Sequence, residues 1–174
     1  HAEEVSMGVP SAVVVGGTNI TLNKKIQELL SSQTFRVYSN TDIKGVEISG
    51  AIKNVISIAS GMCIGLGFGD NTTAALITRG LNEIIRLGDF FGAEISTFYG
   101  LAGIGDLSVT AFSKHSRNRQ FGIKIAEGIS PFDSMKEMEM IVEGYYTVEA
   151  LNDIIIQNNL EMPISQSVYS ILYE

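Results

Sequence analysis

The chain has 174 residues, 45 % hydrophobic and 18 % charged, with 18 glycines and a formal net charge of −7. That content supports one sizeable core or two small ones and excludes a disordered tail. The acidic balance excludes a broad nucleic-acid surface, so an anionic ligand has to be met by a local cluster of cations. No apolar run reaches the roughly 18–20 residues of a membrane span, and the ends carry no secretory signal pattern. The lone Cys63 cannot close an internal disulfide, which fits a reducing compartment. With only His1 and His115, a zinc site is not expected. Position 1 is histidine and all six methionines lie further in, so the chain is expected to be a piece of a longer one.

Ala12-Val13-Val14-Val15 is a β-branched run closed by Gly16-Gly17, which predicts a buried strand. Residues 21–30, with Leu22, Ile26, Leu29 and Leu30, predict a short amphipathic helix, and residues 35–39 a second strand closed by Asn40. Together they make a βαβ-like unit. Two strands are too few for a stable sheet, so partners are expected N-terminal to residue 1.

From Gly45 onward the periodicity is helical. Ile48, Ile52, Val55, Ile56 and Ala59 mark a buried face over residues 46–62. Asp70 or Asn71 is the expected N-cap of a helix from residue 72 to about residue 87, with Gly88 and Gly92 as stop signals. A short helix is expected over residues 96–100, and Ser130-Pro131 reads as an N-cap followed by proline at the first helical position. Further helices are expected from Thr147 and over residues 165–173. Residues 1–45 thus read as a fragment of an α/β domain and residues 46–174 as an all-helical one.

Three features carry possible chemistry. Lys53 lies in the apolar stretch Ala-Ile-Lys-Asn-Val-Ile-Ser-Ile-Ala-Ser, on a helical stripe with Ser49, Ser57 and Ser60. A lysine there can reach a ligand and exchange protons with it. The same pattern also describes a lysine snorkelling at the core edge. Gly100-Leu101-Ala102-Gly103-Ile104-Gly105-Asp106 predicts a tight turn that brings backbone close to something; it is not a dinucleotide fingerprint. Asp106 there can orient Lys53 or hold a cation, or simply end a turn. Lys114-His115-Ser116-Arg117-Asn118-Arg119 gathers three of the 12 Lys and Arg residues, with a guanidinium fork and neutral donors suited to an anion. A solvated basic turn would look the same.

In this order and spacing these segments resemble one family, NAD(P)-dependent glycerol-3-phosphate dehydrogenase of the bacterial type. The resemblance runs through Ala2-Glu3-Glu4-Val5, Gly8-Val9-Pro10, Phe35 to Asn40 and Gly50-Ala51-Ile52-Lys53-Asn54. It continues through Gly65-Leu66-Gly67-Phe68-Gly69-Asp70-Asn71, the turn ending at Asp106, Ser116 to Arg119, Val142-Glu143-Gly144 and Glu161-Met162-Pro163-Ile164. The chain departs from the family pattern at Cys63-Ile64 and at Tyr146.

The resemblance implies a mainly α architecture. An all-helical substrate domain of the 6-phosphogluconate dehydrogenase C-terminal type follows a short βαβ remnant of a Rossmann-type dinucleotide-binding domain. It implies a cytoplasmic enzyme, a homodimer with no membrane span. That enzyme interconverts dihydroxyacetone phosphate and sn-glycerol 3-phosphate with NAD(P)H/NAD(P)+ and feeds glycerophospholipid synthesis. By position, Lys53 corresponds to the catalytic lysine, and with Asp106, Ser116, Arg117 and Asn118 it contacts substrate. Ala2, Arg117, Ile141 and Glu143 correspond to cofactor positions, with Asn54 and Thr110 in support. The glycine-rich loop lies upstream of the matched segment, so this piece alone is expected to be inactive. Two other readings remain open on the residues: a helical module that only associates with a second copy, and a related two-domain reductase with another substrate.

Overall fold

The computed structural model describes residues 2–174, with side chains from residue 4 onward. After a one-turn helix α1 (Ala2–Ser6), the strands β1 (Ser11–Gly16) and β2 (Phe35–Asn40) flank α2 (Ile20–Leu30). The two strands pair in parallel, from Ser11 opposite Phe35 to Gly16 opposite Asn40. The helical body follows as α3 (Ile43–Gly65), α4 (Asp70–Phe90), α5 (Ile95–Phe98), a π-helical turn (Leu101–Gly105) and α6 (Asp106–Phe112). It closes with α7 (Arg117–Ala126), α8 (Pro131–Met138), α9 (Glu143–Asn158) and α10 (Pro163–Tyr173).

Helix α3 is the axis of the body and packs against α4, α6, α7 and α9. One side joins Ile52 and Ile56 to Ile77, Leu81, Ile84, Phe98 and Leu107; the other joins Val55, Ile58 and Met62 to Phe121, Val148 and Val168. A helix apolar on all sides has to be covered on all sides. By length and composition α3 is apolar enough to cross a bilayer, contrary to the expectation from uninterrupted apolar runs, but 61 % of its most apolar window is buried inside the protein. The expected polar stripe is packing surface as well. Ser49, Ser57 and Ser60 are buried, Ser60 donating to the Ala111 carbonyl at 3.0 Å, while Lys53 reaches a cavity.

Several helix ends differ from the sequence expectation, for identifiable reasons. Helix α4 starts at Asp70, after Gly69, with no side-chain cap, so Asp70 acts as first-turn charge. Gly88 does not stop it: the helix runs on to Phe90, and Gly88 is bare because a Cβ there would strike the buried Phe98 ring. Gly92, at φ +73°, makes the actual exit. Helix α5 begins at Ile95 and ends at Phe98, shorter than expected. Gly103 does allow a close approach, but to the Phe98 backbone, in a π-helical turn that runs directly into α6. Helix α9 begins four residues before Thr147, because its cap comes from another helix: Asn118 Oδ1 accepts from Gly144 N–H at 2.9 Å. Helix α10 is likewise capped from outside. The buried Glu83 of α4 accepts from the N–H groups of Ile164 and Ser165 at 2.6 and 3.0 Å, and from the Ser165 hydroxyl at 2.7 Å. Burial pushes the Glu83 carboxyl above its ordinary range despite these bonds.

The joint between sheet and helices is a buried carboxylate. Asp42 caps α3 through Gly45 N–H at 3.0 Å, while its second oxygen accepts from Glu94 N–H at 2.9 Å and the Thr97 hydroxyl at 2.8 Å. Asn40, the last residue of β2, donates to that hydroxyl at 3.2 Å. Burial works against the charge, but the Gly45, Thr97 and Glu94 bonds and nearby Lys44 together hold the carboxyl below its ordinary range. A depressed folded value means the contribution is complete above the ordinary aspartate range, near pH 4, and is lost as pH falls below it. Asp42→Ala is expected to cost about 2–4 kcal/mol in urea unfolding at pH 7. The gap to wild type should narrow as the titration is repeated towards pH 3; a constant gap would remove the charge from the explanation.

Candidate active site

Helix α3 presents Lys53 about midway along its length, and α6 presents Asp106 at its first residue. The π-helical turn sets the entry of α6, so that the Asp106 carboxylate meets the Lys53 ammonium at 2.5 Å with both side chains about a fifth to a quarter exposed. The hydroxyl of Thr110, one turn on, donates to the Asp106 carbonyl at 2.7 Å.

Opposite Lys53, the basic cluster forms the start of α7. Ser116 is its N-cap, accepting from Arg119 N–H at 3.3 Å, and Arg117 and Asn118 are the first two helical residues. The placement depends on bare backbone. A Cβ on Gly61 of α3 would strike the Arg119 carbonyl, and one on Gly122 of α7 would strike the Ile58 carbonyl, so the two helices cross with little between them.

A cavity of about 510 Å³ lies at this junction, lined by Lys53, Asn54, Thr110, Ser116, Arg117, Asn118 and Glu143, with Val109, Ser113, His115 and Met140. Lys53 also borders a smaller cavity of about 290 Å³ with Asp106, reaching Ala12, Val13 and Val14 of β1. A slightly larger groove of about 560 Å³ lies between α3, α4 and α10. Two of its charged residues are engaged within the fold: Arg86 binds the Glu161 backbone carbonyl and lies 3.8 Å from the Glu161 carboxylate, and Glu83 caps α10, while Arg79 also lines it. The departing Cys63 lines that groove, where burial pushes its thiol up, and Tyr146 is exposed on α9.

A hydrogen-bonded chain ties the cavity wall together. Asn118 donates to Asn54 Oδ1 at 2.9 Å, and Asn54 donates to Glu143 Oε2 at 3.2 Å. Glu143 Oε1 accepts from Arg117 at 3.5 Å. Gly144 closes the chain, since a Cβ there would crowd Asn118 Oδ1 and the Asn54 carbonyl.

Of the ten residues singled out in the sequence, seven line the 510 Å³ cavity, and Asp106 reaches it through Lys53. Ile141 lies in the loop before α9, mostly exposed and outside the cavity wall. Ala2 lies outside the residues whose side chains are described. Apolar periodicity does not single out the glycines of the α3–α7 crossing; the available signal is Gly61-x-x-x-Gly65, the spacing that lets helix backbones approach.

Residues 42–174 match the family model described as NAD-dependent glycerol-3-phosphate dehydrogenase C-terminus. The chain is 53 % identical over 173 residues to glycerol-3-phosphate dehydrogenase (NAD(P)+) of Carboxydothermus hydrogenoformans, covering 99 % of this chain and 52 % of that protein. The corresponding protein of Thermotoga sp. (strain RQ2) is 51 % identical over 174 residues, covering 100 % and 53 %. The crystal structure of the Coxiella burnetii glycerol-3-phosphate dehydrogenase superposes with a TM-score of 0.96 at 40 % identity, covering 99 % of this chain and 53 % of that one. The chain spans about half the length of the curated relatives it matches. With the helical body matched from residue 42 to residue 174, the chain belongs to the NAD-dependent glycerol-3-phosphate dehydrogenase family, as its C-terminal part.

Proposed function

We propose that the protein carrying this chain interconverts dihydroxyacetone phosphate and sn-glycerol 3-phosphate with NAD(P)H/NAD(P)+, and that residues 46–174 form its substrate domain. The observation that carries this reading is the convergence of Lys53, paired with Asp106, and Arg117, flanked by Ser116 and Asn118, from sequence-distant segments onto one cavity. In it, residues 1–45 belong to a dinucleotide-binding domain. The cytoplasmic location, the homodimer and the supply of glycerophospholipid synthesis rest on the family resemblance.

Charge grows on the carbonyl oxygen as the substrate is reduced. The Lys53 ammonium donates a proton there and stabilises the alkoxide; in the oxidative direction its neutral amine accepts the proton. Asp106 holds Lys53 in place by a charge-assisted bond. Arg117 clamps the phosphate, with Ser116 beside it, and so fixes the carbonyl relative to Lys53. Asn118 has one amide hydrogen on Asn54 and its oxygen on Gly144, leaving its second hydrogen for substrate. Thr110 steadies the first turn of α6, and Asn54 links the lysine's helix to Glu143.

The nicotinamide supplies the hydride when bound. The residues present fit the edge of that cofactor nearest the substrate. The Glu143 carboxylate, more than half exposed, suits ribose hydroxyls, and Arg117 stands beside it; the family resemblance places Ile141 and Ala2 among the cofactor positions as well. No Gly-x-Gly-x-x-Gly loop occurs in these 174 residues, and no pyrophosphate contact is assigned to them.

The test is a spectrophotometric assay of the full-length protein. It should oxidise NAD(P)H with dihydroxyacetone phosphate and lose at least about 100-fold in kcat/KM with unphosphorylated dihydroxyacetone. Equal rates with both substrates would overturn the phosphate assignment. The 174-residue chain on its own is expected to give no steady turnover, and steady NADH oxidation by it would contradict the division of labour proposed here.

A further inference from the structure

The charges at the cavity cancel. Lys53 is matched by Asp106 at 2.5 Å, and Arg117 leans on Glu143 at 3.5 Å. A dianion entering between them meets two cations already faced by two carboxylates, in a chain of net charge −7. The N-terminus of α7 adds a partial charge of about one half, and its Arg119 N–H is taken by the Ser116 hydroxyl.

One further residue on the wall can change this balance. His115 lines the cavity beside Ser116 and Arg117, in an exposed turn fixed by its own N–H on the Ser113 hydroxyl at 3.2 Å. It shares that cavity with Lys53 from α3, Arg117 from α7 and Glu143 from α9; Asp106 from α6 pairs with Lys53, and the exposed Lys114 precedes His115 in the turn. Arginine keeps its charge at every accessible pH, whereas imidazole is the side chain that ordinarily gains or loses its charge across the neutral range.

We propose that His115 is a further anion-binding residue of this cavity, whose imidazolium supplies the uncompensated positive charge that a phosphate or sulfate dianion needs. Anion affinity then falls as the ring loses its proton. The inference rests on the reading of the cavity as a phosphate site.

Sulfate is the probe, because it stays dianionic throughout the neutral range and its own protonation cannot contribute. Calorimetry on the full-length protein should show sulfate binding about fivefold more weakly at about pH 8 than at about pH 6, the effect of one exposed charge–charge contact. In imidazole NMR, saturating sulfate should move the His115 titration midpoint up by roughly 0.7 pH unit, the linked equivalent of that fivefold change. His115→Asn should bind sulfate equally at both pH values, as weakly as the unsubstituted protein at the higher one. A His115 titration unmoved by sulfate, or a pH dependence that survives in His115→Asn, overturns the proposal. If either occurs while Arg117→Ala abolishes sulfate binding, the phosphate reading stands and only the role of His115 falls. Failure of the unsubstituted protein to bind sulfate at either pH overturns both.

Discussion

Lys53→Ala in the full-length protein is expected to lower turnover of dihydroxyacetone phosphate by about 10²–10⁴-fold, the usual worth of a positioned general acid. The fold should survive, because Lys53 reaches the cavity rather than the core and the Asp106 carboxylate left behind is about a quarter exposed, so water can solvate it. Unchanged circular dichroism with lost activity is therefore the expected pair of results. Lys53→Arg separates charge from proton transfer. A guanidinium keeps the positive charge but cannot act as the base of the oxidative direction, so substrate binding should largely persist while glycerol 3-phosphate oxidation stays low. Near-normal turnover in Lys53→Ala would remove the lysine from the chemistry and leave the ion pair with Asp106 as a purely structural contact.

Gly122→Ala should do the opposite, damaging the fold first and the site through it. The added Cβ would strike the Ile58 carbonyl oxygen and lie 2.9 Å from the Met62 nitrogen, both backbone atoms of α3 that cannot rotate away. The α3–α7 crossing is the most extensive helix contact among the described residues, so α7 has to lift as a unit. Overpacking of this kind costs about 3 kcal/mol, or roughly 6–12 °C in Tm for a domain of this size. The lift also carries Arg117 and Asn118 away from Lys53, so KM for the phosphorylated substrate should rise. Gly50→Ala is the control on the same central helix. Its Cβ meets nothing within 4 Å, and alanine should stabilise the helix by up to about 1 kcal/mol. Equal melting temperatures for Gly122→Ala and the unsubstituted protein would mean that the crossing is not as tight as the backbone contacts require.

Much of the proposed site is legible in the sequence because the chemistry proposed for it needs particular side chains in particular segments. Lys53 stood out as a cation in an apolar helix, and Arg117 as the fork in a basic cluster of an acidic chain. What was not legible depends on partners far away in sequence. Local pattern places the start of α9 four residues late because its cap, Asn118, lies on α7, and that of α10 late because its cap, Glu83, lies on α4. Gly88 looks like a stop in the sequence because the ring that excludes a side chain there, Phe98, belongs to another element. Periodicity reports which face of a helix is apolar; it carries no information about which oxygen a distant helix will offer.

Local pattern and side-chain chemistry suffice for the strand–helix–strand opening, the helical body and the kinds of residue on offer to a phosphate or a proton. That Lys53 meets Asp106, that Asn118 commits most of its amide to Asn54 and α9, and that Ser49, Ser57 and Ser60 face the core emerges from the packed fold alone. Those outcomes are set by how closely α3 and α7 can cross and by the angle at which the π-helical turn launches α6. Both are properties of packed backbones, which no single segment contains.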